Sequence, residues 1–85
     1  MPSISMFYGI IITMNWDDHN PPHFHARYAG SNASYTFDGK LLAGHMPEKQ
    51  EKLIVAWAAL HSEELAANWE ICRDYEHPYK ISPLQ

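Results

Sequence analysis

Apolar and polar positions divide this chain into a front half with strand periodicity and a back half with helix periodicity. Ser5 to Trp16 carries Met6-Phe7-Tyr8 and Ile10-Ile11-Ile12, a β-branched and aromatic mix that predicts a strand over 5–16, central in its sheet and covered on both faces at its middle. The stretch Asn15 to Pro22 then breaks it, because two successive prolines lack amide hydrogens. Period-two alternation resumes over 23–29. It places Phe24, Ala26 and Tyr28 on one face and His23, His25 and Arg27 on the other. Gly30-Ser31-Asn32 predicts a turn. A strand over 33–38 follows, with Ala33, Tyr35 and Phe37 inward, and Asp38-Gly39 signals a hairpin into a short strand over 40–43.

After Gly44 the period changes. Pro47 suits a helix start, with Glu48 and Glu51 near the positive end of the helix dipole. Leu53, Ile54, Trp57, Leu60, Leu65, Trp69 and Cys72 then form an apolar stripe. One straight helix over this span would be about 42 Å long, more than the roughly 30 Å diameter of a compact chain of this length. Ser62, with Glu63 and Glu64 behind it, offers a second N-cap. Two helices are therefore expected, about 47–61 and 63–74, with His61 closing the first. Residues 76–85, with Pro78 and Pro83, read as an extended C-terminal arm. The expected architecture is α+β: an antiparallel meander of about four strands with two helices packed on one face.

With 85 residues the chain is expected to form a single domain, 1–85. A net charge of −4 argues against indiscriminate nucleic-acid binding, which rests on clustered Lys and Arg. The longest apolar run, 6–14, is too short to span a membrane. Met1-Pro2-Ser3 has no basic leader region, so a cytoplasmic location is expected. Cys72 has no disulfide partner and sits in the apolar stripe, as a structural thiol would. Trp57 and Trp69 read as core anchors.

Chemistry concentrates in one segment. Residues 17–27 read Asp-Asp-His-Asn-Pro-Pro-His-Phe-His-Ala-Arg and hold three of the six histidines. His23 and His25 share a strand face about 7 Å apart, and His19, Asp17 or Asp18 could add a third ligand. That donor set suits a divalent transition metal such as zinc or nickel. A second reading needs no metal: His23 and His25 act as acid and base on RNA while Arg27 steadies the phosphate. A third is purely structural, with the histidines paired to Asp17 or Asp18 and bracing the turn. His45 and His77 carry no signal, and no phosphate-binding glycine loop is present.

The segment from Ile4 to Ile10 and the run Asp17 to Tyr28 strongly resemble the small bacterial family catalogued as domain of unknown function 4160. Pro47, Trp57 with Leu60-His61, Glu63-Glu64-Leu65, Asn68-Trp69 and Ile81-Ser82-Pro83-Leu84 fit the same resemblance. It implies a gene neighbour encoding another small protein, often of the family called domain of unknown function 2442. That arrangement resembles a toxin–antitoxin pair, so the implied role is one component acting through a protein partner, with self-association as a further expectation. On this reading the His-rich face, His19, His23, His25 and Arg27, is the functional surface. The resemblance carries over no catalytic residues.

Overall fold

The computed structural model describes residues 2–85. Five strands, β1 (Ser3–Phe7), β2 (Ile10–Thr13), β3 (His23–Tyr28), β4 (Ser31–Thr36) and β5 (Leu41–Gly44), precede two helices, α1 (Glu48–Leu60) and α2 (Ser62–Arg73). The strands form one antiparallel meander in sequence order, β1-β2-β3-β4-β5.

The strand expected over 5–16 is in fact a hairpin. Tyr8 and Gly9 both have positive φ, 49° and 80°, the two-residue turn whose twist suits flanking strands. An unbroken apolar run conceals that turn, because Tyr-Gly lacks the usual Asn or Asp. Consequently β1 lies at the sheet edge, and Met6 and Tyr8 are exposed rather than covered. The next turn falls on Ala29-Gly30, not on Gly30-Ser31-Asn32, so Ser31 and Asn32 belong to β4. Asp38-Gly39 sits within a four-residue connection, closed by Thr36 N–H to Lys40 O at 2.9 Å.

Inward residues of the sheet meet the helices through Trp57, which is fully buried. Its ring packs against Phe7 at 5.4 Å and edge-on to Phe24 at 5.7 Å, while Phe24 stacks on Tyr35 at 5.8 Å. The Tyr35 hydroxyl donates to Glu51 Oε2 at 2.8 Å, tying β4 to α1. Burial and that carboxylate push the phenol well above its ordinary pKa. The helix break falls at His61, as the length argument requires, since the longest dimension of the molecule is 33 Å. His61 serves both as C-cap of α1 and N-cap of α2, and its Nδ1 lies 2.6 Å from Glu64 Oε1. Ser62 is the first residue of α2 instead of its cap. Leu60, assigned to the apolar stripe, is 70% exposed; Ala58 takes the buried position. Burial also raises the Cys72 thiol pKa, in keeping with an inert core residue.

Residues 76–85 form no helix or strand and lie along β1 and the helices. Ile81 N–H donates to Ile4 O at 2.7 Å, Trp57 Nε1 to Ser82 O at 2.9 Å, and Asn68 holds Tyr79 through both backbone groups. Ile81 is buried in the core.

Two glycines separate steric exclusion from backbone preference. A Cβ on Gly44 (φ 83°) would be driven into the Asn32 carbonyl and within 2.9 Å of Ala33 Cα, whereas one on Gly30 (φ 87°) meets nothing within 4 Å. Gly30→Ala is therefore expected to cost about 1 kcal/mol from φ alone. Gly44→Ala should cost at least about twice that. Urea unfolding of the two variants checks the order.

Candidate metal centre

The site forms where the loop between β2 and β3 folds back over the start of β3. The loop is fixed from the far side by α2. Asp17 N–H donates to Cys72 O at 3.0 Å, occupying a carbonyl near the helix C-terminus, and Trp16 Nε1 reaches Glu76 O at 3.1 Å. Asp17 has φ 46°, and its carboxylate accepts from the Tyr75 hydroxyl at 2.6 Å. Facing away in this manner, Asp17 is excluded from the histidines. Asp18 is aimed at them instead.

Three donor atoms converge on one point. Asp18 Oδ2 lies 3.0 Å from His23 Nε2 and 3.3 Å from His25 Nε2. All three ligand atoms fall within 4.8 Å of one another, the metal-capable group found among the described residues. His19 does not join it: its side chain is 93% exposed, with Nδ1 3.3 Å from the other Asp18 oxygen, which also accepts the His19 N–H at 2.9 Å. Of the predicted donors, Asp18, His23 and His25 are brought together, and Asp17 and His19 are not.

Local packing fixes the imidazoles. His23 is 7% exposed even though it faces away from Phe24, because Trp69 of α2 covers it at a ring distance of 5.5 Å and Asp18 lies over it. Its Nδ1–H donates to Pro21 O at 2.6 Å, across a loop whose Asn20–Pro21 bond is cis. With Nδ1 committed to the Pro21 carbonyl, Nε2 is the ring atom turned toward Asp18. Backbone orientation of the remote ring nitrogen is the usual support of a metal-ligating histidine. His25 lies one ring away at 5.0 Å and is more open, its side chain 32% exposed.

Burial by itself would raise the Asp18 pKa. Hydrogen bonds from His25 and the His19 N–H, the charge of His23 and a bond from Asn15 outweigh it, so the carboxyl is held below its usual range. Asn15 is a residue that strand and motif reasoning missed. Its Nδ2 stands 3.3 Å from both Asp18 Oδ2 and His25 Nε2, and its Oδ1 is buried without a partner. Its only signal in sequence is a place three residues before Asp18 in a turn-rich run.

Arg27 is exposed on the same strand face but is not one of the clustered donors. With His25 it lines a groove of about 270 Å³ on the outer face of the sheet, whose other walls include Thr13, Asn32, Ser34 and Ala43.

Fold and site together define a small α+β protein with a two-histidine, one-carboxylate cluster at the head of its middle strand. The chain belongs to the family described as Domain of unknown function (DUF4160), which matches residues 9–70, including every residue of the cluster. No curated protein and no solved structure matches it.

A carboxylate whose pKa is lower in the folded state adds stability above the unfolded value of about 3.9, and that contribution fades as pH falls through the folded value. Asp18→Asn is accordingly expected to be less stable than the parent by about 1–3 kcal/mol at pH 7 in chelator. The difference should shrink as pH is taken below 4, which denaturant curves across that range would record.

Proposed function

We propose that this protein works through a divalent transition metal, zinc or nickel, held by Asp18 Oδ2, His23 Nε2 and His25 Nε2. The observation that carries this reading is the spacing of the donors. An ion with bonds of about 2.0–2.1 Å sets adjacent ligand atoms about 2.9 Å apart in an octahedron and about 3.3 Å apart in a tetrahedron. The two separations to Asp18 Oδ2, 3.0 and 3.3 Å, match those edges, and all three donors lie within 4.8 Å of one another. Three protein donors leave positions open for water, which such an ion makes easier to ionise at neutral pH. A small metal-dependent hydrolytic enzyme is the activity this arrangement suits. A metal-free acid–base role on RNA is less favoured, because the burial of His23 keeps it from a substrate.

Protein purified without a tag and stripped of metal is expected to bind one Co²⁺ with ligand-field absorption, and zinc should raise its melting temperature. Ligand at 100 times Kd adds about 2.7 kcal/mol, or roughly 4–8 °C for each kcal/mol in a domain of this size. His25→Ala should abolish the tight site, and Asn15→Ala should weaken it roughly 10-fold or more by loosening its support. Absence of binding in the parent, with His25→Ala merely less stable, would leave the histidines as structural braces.

A second role is supported by the open side of the sheet. No residue of β5 is buried, and Leu41 and Leu42 are large exposed side chains on that strand. An edge of that kind accepts a strand from a partner. It suits a cytoplasmic component of a toxin–antitoxin-like gene pair that binds its neighbour's product or a second copy of itself. Coexpression with that product should give a complex that Leu42→Lys disrupts while the isolated fold persists. Copurification unaffected by Leu42→Lys would move the interface elsewhere.

A further inference from the structure

The groove beside the cluster is built by cross-strand pairing. Thr13, His25, Ser34 and Ala43 form one rung across β2, β3, β4 and β5, and Ile11, Arg27 and Asn32 form the next. Directly paired side chains on one face stand about 5 Å apart, and successive rungs on that face about 7 Å apart. Small residues at Ser34 and Ala43 leave a depression between two large cationic or cation-binding ones, His25 and Arg27. The groove therefore has the candidate metal ligand His25 at one end and a guanidinium at the other. Its wall is mostly apolar, with hydrogen-bond donors set into it by Thr13, His25, Arg27, Asn32 and Ser34, and no carboxylate lines it. That is unusual ground in a chain with ten acidic and six basic residues.

We infer that this groove binds the phosphoryl group of a small phosphorylated molecule, with one oxygen toward the ion at Asp18, His23 and His25 and the others on the Arg27 fork. The inference rests on the metal reading for the ion and on the groove alone for the anion. A guanidinium offers two parallel N–H donors to a phosphoryl edge, and an ion of the proposed kind takes a third oxygen. The two positive ends suit a dianion. A volume of about 270 Å³ lies just under the small-molecule range of about 300–1,000 Å³. It admits one phosphoryl group with a compact body attached. A polynucleotide would need further cations along its path, and Arg27 is the only Lys or Arg lining the groove.

The test uses the cobalt-loaded chain, with inorganic phosphate and phenyl phosphate as probes and acetate as the carboxylate control. Both phosphates are expected to perturb the cobalt absorption. Arg27→Gln should weaken their binding about 10-fold or more while cobalt affinity is unchanged, and acetate should act only at far higher concentration. Equal phosphate binding by parent and Arg27→Gln would overturn the assignment, as would an acetate response matching that of phosphate. A single-stranded oligonucleotide that binds tighter than phenyl phosphate would overturn the small-molecule part. Calorimetry on the metal-free chain separates the two readings. If cobalt fails to bind yet phosphate binds in an Arg27-dependent way, the metal reading falls and the anion groove stands. If phosphate binds neither form, the groove proposal is wrong whatever the metal does.

Discussion

The alternation of β3 is the constraint on which the remainder of the molecule depends. Phe24 and Ala26 are buried, and Phe24 is held between Tyr35 and Trp57. A slip of one residue would drive His25 and Arg27 into that aromatic contact and expose the phenylalanine, a change the core cannot absorb. The packing on one face thus sets the chemistry on the other. Histidine spacing along the strand is then inherited from the pleat, and no local device is needed to keep His23 and His25 adjacent.

Convergence requires a second element, because a strand supplies two imidazoles and no carboxylate between them. The loop between β2 and β3 delivers Asp18, and the C-terminal end of α2 decides which of the adjacent aspartates arrives. By engaging Asp17 through its N–H and its carboxylate, Cys72 and Tyr75 turn its neighbour toward the histidines. Trp69 closes His23 from above. The same helix therefore fills the core with Leu65 and Cys72 and orients the polar cluster. Stability and site geometry are coupled through it, so cavities made in α2 should be felt at Asp18.

Periodicity was enough to reveal the α+β meander, the inward faces of β3 and β4, and the break at His61, since each follows from side-chain spacing or from length. The Tyr8-Gly9 turn was hidden because both its flanks are apolar and it lacks the short Asn or Asp side chain that usually marks such a turn. His23 was placed on the polar face correctly, yet its burial depends on Trp69, a residue 46 positions away that alternation cannot bring near. Asp17, Asp18 and His19 were equal candidates in sequence. Backbone direction in a loop, set here by a contact with α2, is what separates them, and no local pattern encodes it. Asn15 and the Thr13–Ser34 floor of the groove become visible only when strand register is known.

The C-terminal arm has one more consequence. By laying Ile81 against Ile4, it closes the β1 side of the sheet, while β5 is left without an outer neighbour among the described residues. A sheet with two free margins can lengthen without limit, chain after chain. Here the chain's own tail occupies part of one margin, through Ile81 and the Lys80 ammonium on the Ser3 carbonyl. The last ten residues thus leave the two margins of one sheet chemically unlike, the first partly occupied by the chain's own backbone and the other open.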